Sequence, residues 1–323
     1  MTARVTVALA TFNAEVFLGD FLESLSNICP KAHELVVSDD GSTDSTLDML
    51  ATYARAAEFP VRILRGGGRL GVTGNFSRVI AASRGDWVAL ADQDDVWRED
   101  KLSRLLDAVG TPEVTAAFSD ADLVGPSLEP LGHAVWDQVG LTKGWRKRFD
   151  RDRPWEVLFR EPVVAGTTLI FRRDLLAAIL PIPLSWVHDG WISQIAASQG
   201  RVVAVPEPLV LYRQHGGNVI GSRKLSMAQQ IRRAREIGRL GIIDRELRRY
   251  TDLLHRLREL PKTGRTEAMT TLCMRKLAHL RRRETLPKNR VLRVPPVLGE
   301  LLKGNYRRFS KDWRRPAVDL LFP

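Results

Sequence analysis

Cysteine is scarce: the 323 residues hold two, Cys29 and Cys273, far apart in the chain. They offer no disulfide framework and no zinc-ligand spacing, so a reducing cytoplasm is the expected compartment. Long apolar runs are missing too. The longest, around Leu175 to Val187, is cut by Pro181 and Pro183, which excludes a membrane-spanning helix. The apolar start Val5–Ala10 turns polar at Thr11, too early for a signal peptide. Neither an internal repeat nor a low-complexity segment is visible, and no Ser or Cys is set up as a nucleophile.

Acidic residues are depleted in one part of the chain only. From Ser222 onward there are 27 Lys+Arg against 10 Asp+Glu, whereas the first 221 residues carry 22 and 28. The net charge of +11 therefore belongs to the tail, which weakens any reading of the whole chain as a nucleic-acid binder. At this length one large core plus an appendage is expected. The division predicted is a catalytic domain over 1–221 and a basic, amphipathic helical domain over 222–323.

The first 110 residues alternate β-rich runs (Val5–Ala10, Glu34–Ser38, Val61–Leu64, Trp87–Ala91) with helical patterns (Glu15–Asn27, Ser45–Ala57, Gly74–Ser83). That alternation predicts an α/β fold, a mostly parallel sheet flanked by helices. Further strands are expected at Val114–Ser119 and Thr167–Phe171, and as two short runs either side of a Pro206-Glu207-Pro208 turn. In the tail, Leu240, Ile243, Leu247, Tyr250, Leu254 and Leu257 recur at helical spacing, a second helix is expected over Glu267–Arg283, and Pro295-Pro296 should end whatever precedes it.

Three clusters place charge where buried strands should end. Asp39-Asp40-Gly41-Ser42-Thr43-Asp44 reads either as a strand-to-helix turn with a cap or as carboxylates that accept hydrogen bonds from a base or ribose. Asp92-Gln93-Asp94-Asp95-Val96-Trp97 holds three carboxylates in four residues, which repel by roughly 1–4 kcal/mol per pair at 4 Å. A solvated acidic turn would tolerate that. A hard divalent cation would offset it, and Mg²⁺ takes one or two carboxylates plus phosphate oxygens. The third cluster, His188-Asp189-Gly190-Trp191, sits where a helix starts, so Asp189 is either an N-cap or a functional carboxylate. Gly66-Gly67-Gly68-Arg69-Leu70-Gly71 also satisfies the dinucleotide pattern G-x-G-x-x-G. Its partner acid would be Asp92, one of three crowded carboxylates rather than a single ribose contact, and two charged strand ends would be left without a purpose.

Ala10-Thr11-Phe12-Asn13, Asp39–Asp44, Gly85-Asp86, Asp92-Gln93-Asp94-Asp95-Val96-Trp97, His188-Asp189 and Tyr212-Arg213-Gln214-His215 occur in the order seen in family 2 inverting glycosyltransferases of the GT-A fold, which the chain resembles over about residues 3–220. The D-Q-D-D-V-W and Y-R-Q-H-G strings are similar to the rhamnosyltransferase-like branch. The resemblance implies a divalent metal, Mg²⁺ or Mn²⁺, and a nucleotide-diphosphate sugar donor. Thr11, Phe12, Asn13, Asp39, Asp40, Asp92 and Asp94 would bind that donor, with Phe12 against the base. Asp94, Asp95 and His215 would hold the metal, and Asp189 would be the general base. Two departures stand out: Arg69-Leu70-Gly71 replaces the Asn-x-Gly of many relatives, and Gly190 replaces a second aromatic.

The acceptor implied is a saccharide or lipid-linked hydroxyl, in cell-surface polysaccharide or glycolipid synthesis. Tyr306–Arg315 mixes aromatics with cations, a composition suited to anionic lipid rather than nucleic acid, and predicts a peripheral place on the inner face of the cytoplasmic membrane. The rival readings are a metal-dependent nucleotidyltransferase, which would release pyrophosphate, and a basic protein binding nucleic acid or acidic polymer.

Overall fold

The computed structural model describes residues 3–66, 68–216, 227–310 and 314–321, with the backbone alone over 227–239. Gly67, the expected domain boundary at 221/222, Gly217 just after the Y-R-Q-H-G string, and Lys311–Trp313 of the aromatic–arginine segment lie outside these residues. Two compact units result: residues 1–154 with 163–222, and residues 155–162 with 223–323.

In the first unit the strands are β1 (Val5–Thr11), β2 (Glu34–Asp39), β3 (Val61–Leu64), β4 (Trp87–Asp92), β5 (Val96–Trp97), β6 (Val114–Val124), β7 (Pro130–Ala134), β8 (Leu169–Arg172) and β9 (Arg201–Arg213). They form one sheet in the order β3-β2-β1-β4-β8-β6-β9-β5, with β7 paired to β6. The β3-β2-β1-β4 half is parallel, and β8 pairs antiparallel to both β4 and β6. Val7–Leu9, Leu35–Val37 and Val88–Ala91 are fully buried, as expected of strands covered on both faces. The crossovers run through α1 (Leu18–Ser26), α2 (Thr46–Ala56) and α3 (Gly71–Ala81), with α4 (Lys101–Ala108) following β5. Because the parallel strands share a direction, their carboxyl ends lie on one edge: Thr11 is opposite Asp39, and Ala10 is opposite Asp92.

One expected turn is absent. β9 runs unbroken through Pro206-Glu207-Pro208, and the extra residues are absorbed by a register shift between Ser119↔Val205 and Asp120↔Pro208. A bulge tolerates prolines because its residues leave the ladder. β9 thereby reaches the acidic end of β4, pairing antiparallel with β5 through Val96↔Leu211 and Trp97↔Val210.

The second unit is helical: Met227–Glu259, Gly264–Glu284, Arg290–Leu302, Asn305–Phe309 and Arg315–Leu321. Ile243, Tyr250, Leu253 and Leu257 face its core, with Met269, Cys273, Leu277 and Leu280 from the next helix. Residues 155–162 join this unit, where Phe159 lies 5.4 Å from the Tyr250 ring and its carbonyl accepts from Lys276 Nζ at 2.8 Å. Pro295-Pro296 does not end a helix but sits inside Arg290–Leu302, removing two i→i−4 donors from it. Tyr306 and Phe309 are buried in this unit, so these two aromatics of the 306–315 segment pack inward, while Arg307, Arg308 and Arg314 are exposed among its described residues.

The interior of this unit is unusually polar. Asp319 is fully buried and accepts from Arg283 Nε at 2.6 Å and Tyr306 OH at 2.7 Å, while Arg293 donates to its carbonyl at 3.1 Å. Removing one partner strands the other charges in a dry site, which costs about 3–5 kcal/mol. Asp319→Ala should therefore lower the unfolding free energy of the second unit by about that amount, measured by chemical denaturation. A change under about 1 kcal/mol would mean that the network is solvated.

Candidate functional site

The edge formed by the carboxyl ends of β1, β2 and β4 divides into a scaffold and an acidic centre. Asp39 belongs to the scaffold. Its carboxylate accepts from Thr11 Oγ1 at 3.0 Å, from Ser42 Oγ, and from the backbone N–H groups of Gly41 at 3.2 Å and Ser42 at 2.9 Å. Four bonds use the accepting capacity of a carboxylate. Asp40 accepts from the N–H groups of Leu70 and Gly71 at the start of α3. The helix N-terminus that a dinucleotide pyrophosphate would need is thus already occupied by a protein anion, which disposes of the glycine-rich alternative.

Asn13, at φ +46°, accepts from Thr43 N–H at 2.9 Å while its own N–H donates to Ser42 Oγ. Asp44 accepts from Glu15 N–H and Thr46 N–H, and Thr46 Oγ1 from Ala14 N–H. The two loops after β1 and β2 are therefore zipped together by short polar side chains. Phe12 exchanges two backbone hydrogen bonds with the Gln93 amide, and Arg69 covers its ring at 3.9 Å. The family's Asn-x-Gly position is filled here by an arginine that stacks on the aromatic expected to meet the base.

The acidic centre follows β4. Burial, then the negative charges of Asp94 and Asp189, push the Asp92 carboxyl up to about 7, against the pull of Lys101. Asp95 is buried, and that burial, with Asp94 and Asp92 nearby, raises its carboxyl well above the ordinary value. One of its oxygens accepts from Arg213 N–H at 2.9 Å; the other, Oδ2, is buried with no hydrogen-bond partner within 3.5 Å, and the Thr167 side chain joins Arg213 N–H in opposing the upward shift. Asp94 Oδ2 is 2.8 Å from His215 Nε2, and the His215 ring lies 4.6 Å from that of Phe17. Asp92, Asp94, Asp95 and Asp189 all act on the buried Tyr212 hydroxyl, which burial and their charges raise well above its usual range. These four acids therefore form one electrostatic group, although among the described residues no three Asp, Glu, His or Cys side chains converge as a ready-made metal cage.

Asp189 is not the helix cap. The helix His188–Gln199 is capped at Val187, with no side-chain cap bond, and Asp189 lies in its first turn accepting from Gly190 N–H. An acid there is favoured by the helix dipole whatever else it does.

Two residues that the sequence reading did not assign hold this centre together. Lys101 is fully buried in α4, donates to the Thr167 carbonyl at 2.6 Å and lies 3.1 Å from the Trp97 ring centre; burial lowers its pKa well below the ordinary value, opposed by Asp95 and Asp92. It is the lysine of Trp97-Arg-Glu-Asp-Lys101, one turn beyond the acidic string, and only its burial reveals its role. Arg213 spends its fork on the Asp94 carbonyl at 2.7 Å, the Pro126 carbonyl and Asp20 at 2.6 Å. A lysine could not make these bonds together.

The comparisons with known proteins agree with this architecture. The sequence profile of glycosyl transferase family 2 matches residues 6–180, more than half of the chain. The chain belongs to this family. A glycosyltransferase of Nostoc, alr2836, is 26% identical over 219 residues, 67% of this chain and 66% of that protein. The dTDP-rhamnosyl transferase RfbG of Shigella flexneri is 23% identical over 227 residues, 66% of this chain and 74% of that one. Over the first curated relatives the match spans half to two thirds of their length. The mannosyltransferase PcManGT of Pyrobaculum calidifontis, solved with GDP-Man and Mn²⁺, superposes with a TM-score of 0.52 at 18% identity, covering 99% of this chain and 88% of that one. The fold is accordingly the expected GT-A arrangement.

His188 yields a test of the site's dryness. It is buried, stacks on Phe76 at 3.7 Å, and leaves both ring nitrogens without a hydrogen-bond partner. A Cβ on Gly166 would come within 2.8 Å of its Nε2. Burial pushes its pKa down to about 3. The unfolded chain binds a proton at this histidine below about pH 6.5 while the folded chain does not, so stability falls as pH drops from about 6.5 toward 3. His188→Gln should flatten that limb by up to about 1.4 kcal/mol per pH unit, read from denaturant unfolding between pH 6 and 4. Parallel slopes for the two proteins would show a hydrated imidazole.

Proposed function

We propose that the chain is an inverting glycosyltransferase that moves a sugar from a nucleotide-diphosphate donor to an acceptor hydroxyl, with a divalent metal at the acidic centre. The observation that carries this reading is the unbonded, buried Oδ2 of Asp95 within a group of four carboxylates. Such a group is short of positive charge: Lys101 is buried with its charge acting on Asp92 and Asp95, and the buried Arg213 guanidinium is paired with Asp20. Hard oxygen donors with one imidazole suit Mg²⁺ or Mn²⁺, and few protein ligands are needed when the diphosphate supplies the rest. Asp95, with Asp94 and His215, would hold the ion, which when bound neutralises charge on the departing diphosphate. PcManGT, solved with Mn²⁺ and GDP-Man, supports both ligand classes.

The donor's nucleoside would lie along the loops after β1 and β2. Because Asp39 is saturated by its own loop, it would shape that pocket rather than reach the base. Thr11 and Asn13 would act in the same indirect way, through Asp39 and Thr43. Asp40 retains accepting capacity beyond its two backbone bonds. Phe12 would offer its ring to the base once Arg69 moves aside or stacks above it. Asp92 and Asp94 would face the ribose and the diphosphate.

Asp189 would take the proton of the acceptor hydroxyl. The freed oxygen forms its bond to the anomeric carbon as the bond from that carbon to the diphosphate oxygen breaks on the opposite face. One displacement inverts the stereochemistry, and the nucleoside diphosphate leaves. Its charge reaches both Asp92 and Tyr212, which supports a position beside the donor site. The likeness to RfbG supports a rhamnosyl donor, and the acceptor would be a saccharide or lipid-linked saccharide of the cell surface.

General-base catalysis contributes about 10²–10⁴-fold. Asp189→Asn should therefore cut transfer by that factor while nucleotide-sugar binding and melting temperature stay close to wild type. The measurement is release of nucleoside diphosphate with and without acceptor. Near-normal transfer would remove Asp189 from the mechanism, and pyrophosphate as the product would favour a nucleotidyltransferase.

A further inference from the structure

The helix Arg290–Leu302 is inverted with respect to its surroundings. Its inward face carries Arg293 and Glu300 beside Val297, all buried. Arg293 donates to the carbonyls of Pro287 at 2.6 Å and Asp319, and Glu300 accepts from His279 at 2.6 Å and Asn305 at 2.7 Å. Its outward face is apolar: Val291, Leu292, Val294, Leu298, Leu301 and Leu302, from 44% exposed at Leu301 to 81% at Leu302. A helix in water places these residue types the other way round. Scattered exposed leucines are ordinary, but six on one short helix whose charges are all turned inward or confined to its first residue form a patch.

The charge around the patch selects what it would meet. Lys288 and Arg290 are exposed at its amino end, and Lys303, Arg307 and Arg308 at its carboxyl end. The helix's one carboxylate, Glu300, is buried and paired with His279 and Arg282. An apolar stripe with cations at both ends, and no exposed anion over residues 285–310, matches an anionic bilayer surface, where the stripe enters the acyl boundary and the cations meet the headgroups. A second copy of the same face would bring like charges together at both ends. Nucleic acid would have no use for six aliphatic side chains.

We propose that the outward face of Arg290–Leu302 is a docking surface for an anionic membrane. Contact is thereby placed on this helix and not on Tyr306 and Phe309, which pack inward. Among the described residues no helix is long and apolar enough to cross a bilayer, so docking would be peripheral. Everything it uses lies in the second unit, independent of what the first unit transfers.

The test is sedimentation of the full chain with vesicles of phosphatidylcholine alone or with one third phosphatidylglycerol. The wild-type protein should partition onto the anionic vesicles and much less onto the neutral ones. Leu298→Glu with Leu302→Glu should cut that partition roughly tenfold or more without moving the melting temperature, since both side chains are exposed. Arg307→Glu with Arg308→Glu should weaken binding to anionic vesicles alone. A wild-type protein left in the supernatant overturns the proposal, as does undiminished binding of the leucine double variant. A double variant that melts lower, or that loses a dimer seen in wild type by sedimentation velocity, also overturns it, because the face would then be packed against this chain or a second copy.

Discussion

The first unit is organised by an electrostatic deficit. Asp92, Asp94, Asp95 and Asp189 act on one another at the carboxyl end of β4, in surroundings where desolvation raises the cost of each negative charge. Such a group survives folding only if the backbone around it is fixed by other means. Arg213 supplies much of that, clamping the Asp94-Asp95 turn to the β6–β7 connection and to α1, while its own N–H satisfies one oxygen of Asp95. Lys101 supplies a positive charge, itself strained by burial. What remains uncompensated is the property that a divalent cation and a diphosphate can use.

Around this centre the scaffold is polar and densely bonded. Asp39, Asn13, Ser42, Asp44 and Thr46 satisfy loop N–H groups that would otherwise be lost at strand ends. Preorganisation of this kind keeps the loops after β1 and β2 in one arrangement before any donor arrives, so binding energy is not consumed in ordering them. Asp39, saturated by its own loop, and Asp95, with one buried oxygen lacking a partner within 3.5 Å, differ in what each has left to offer within one sheet edge.

Much of this was legible in the sequence, for a physical reason. Buried parallel strands read as short apolar runs, and charge immediately after such a run, as at Asp39 and Asp92, can only be at an edge. What escaped was set by long-range contact. Lys101 looks like the first residue of a surface helix, and Arg213 like one more cation near a tail rich in them; neither carries a local signal of burial. The bonds of Asp40 to the N–H groups of residues 70–71 become visible only through the fold, whereas those of Asp39 to residues 41–42 are local to its own turn. Pro206-Glu207-Pro208 resembled a turn and proved a bulge, and Pro295-Pro296 lies within a helix. In the second unit the expected rule of apolar inside and charged outside fails at Arg290–Leu302, so periodicity located the helices but not which face they bury.

The most direct test of the metal-assisted donor site is a thermal-shift titration with a panel of nucleotide-diphosphate sugars, with Mn²⁺ and with a chelator, on wild type and Asp95→Asn. A ligand at 100 times its dissociation constant stabilises the fold by about 2.7 kcal/mol, well within reach of the method. The account predicts a shift for at least one donor that requires Mn²⁺ and is lost in Asp95→Asn, whose metal-free melting temperature stays near wild type. An equal shift in chelator, or an Asp95→Asn protein that responds to Mn²⁺ and donor like wild type, would contradict it.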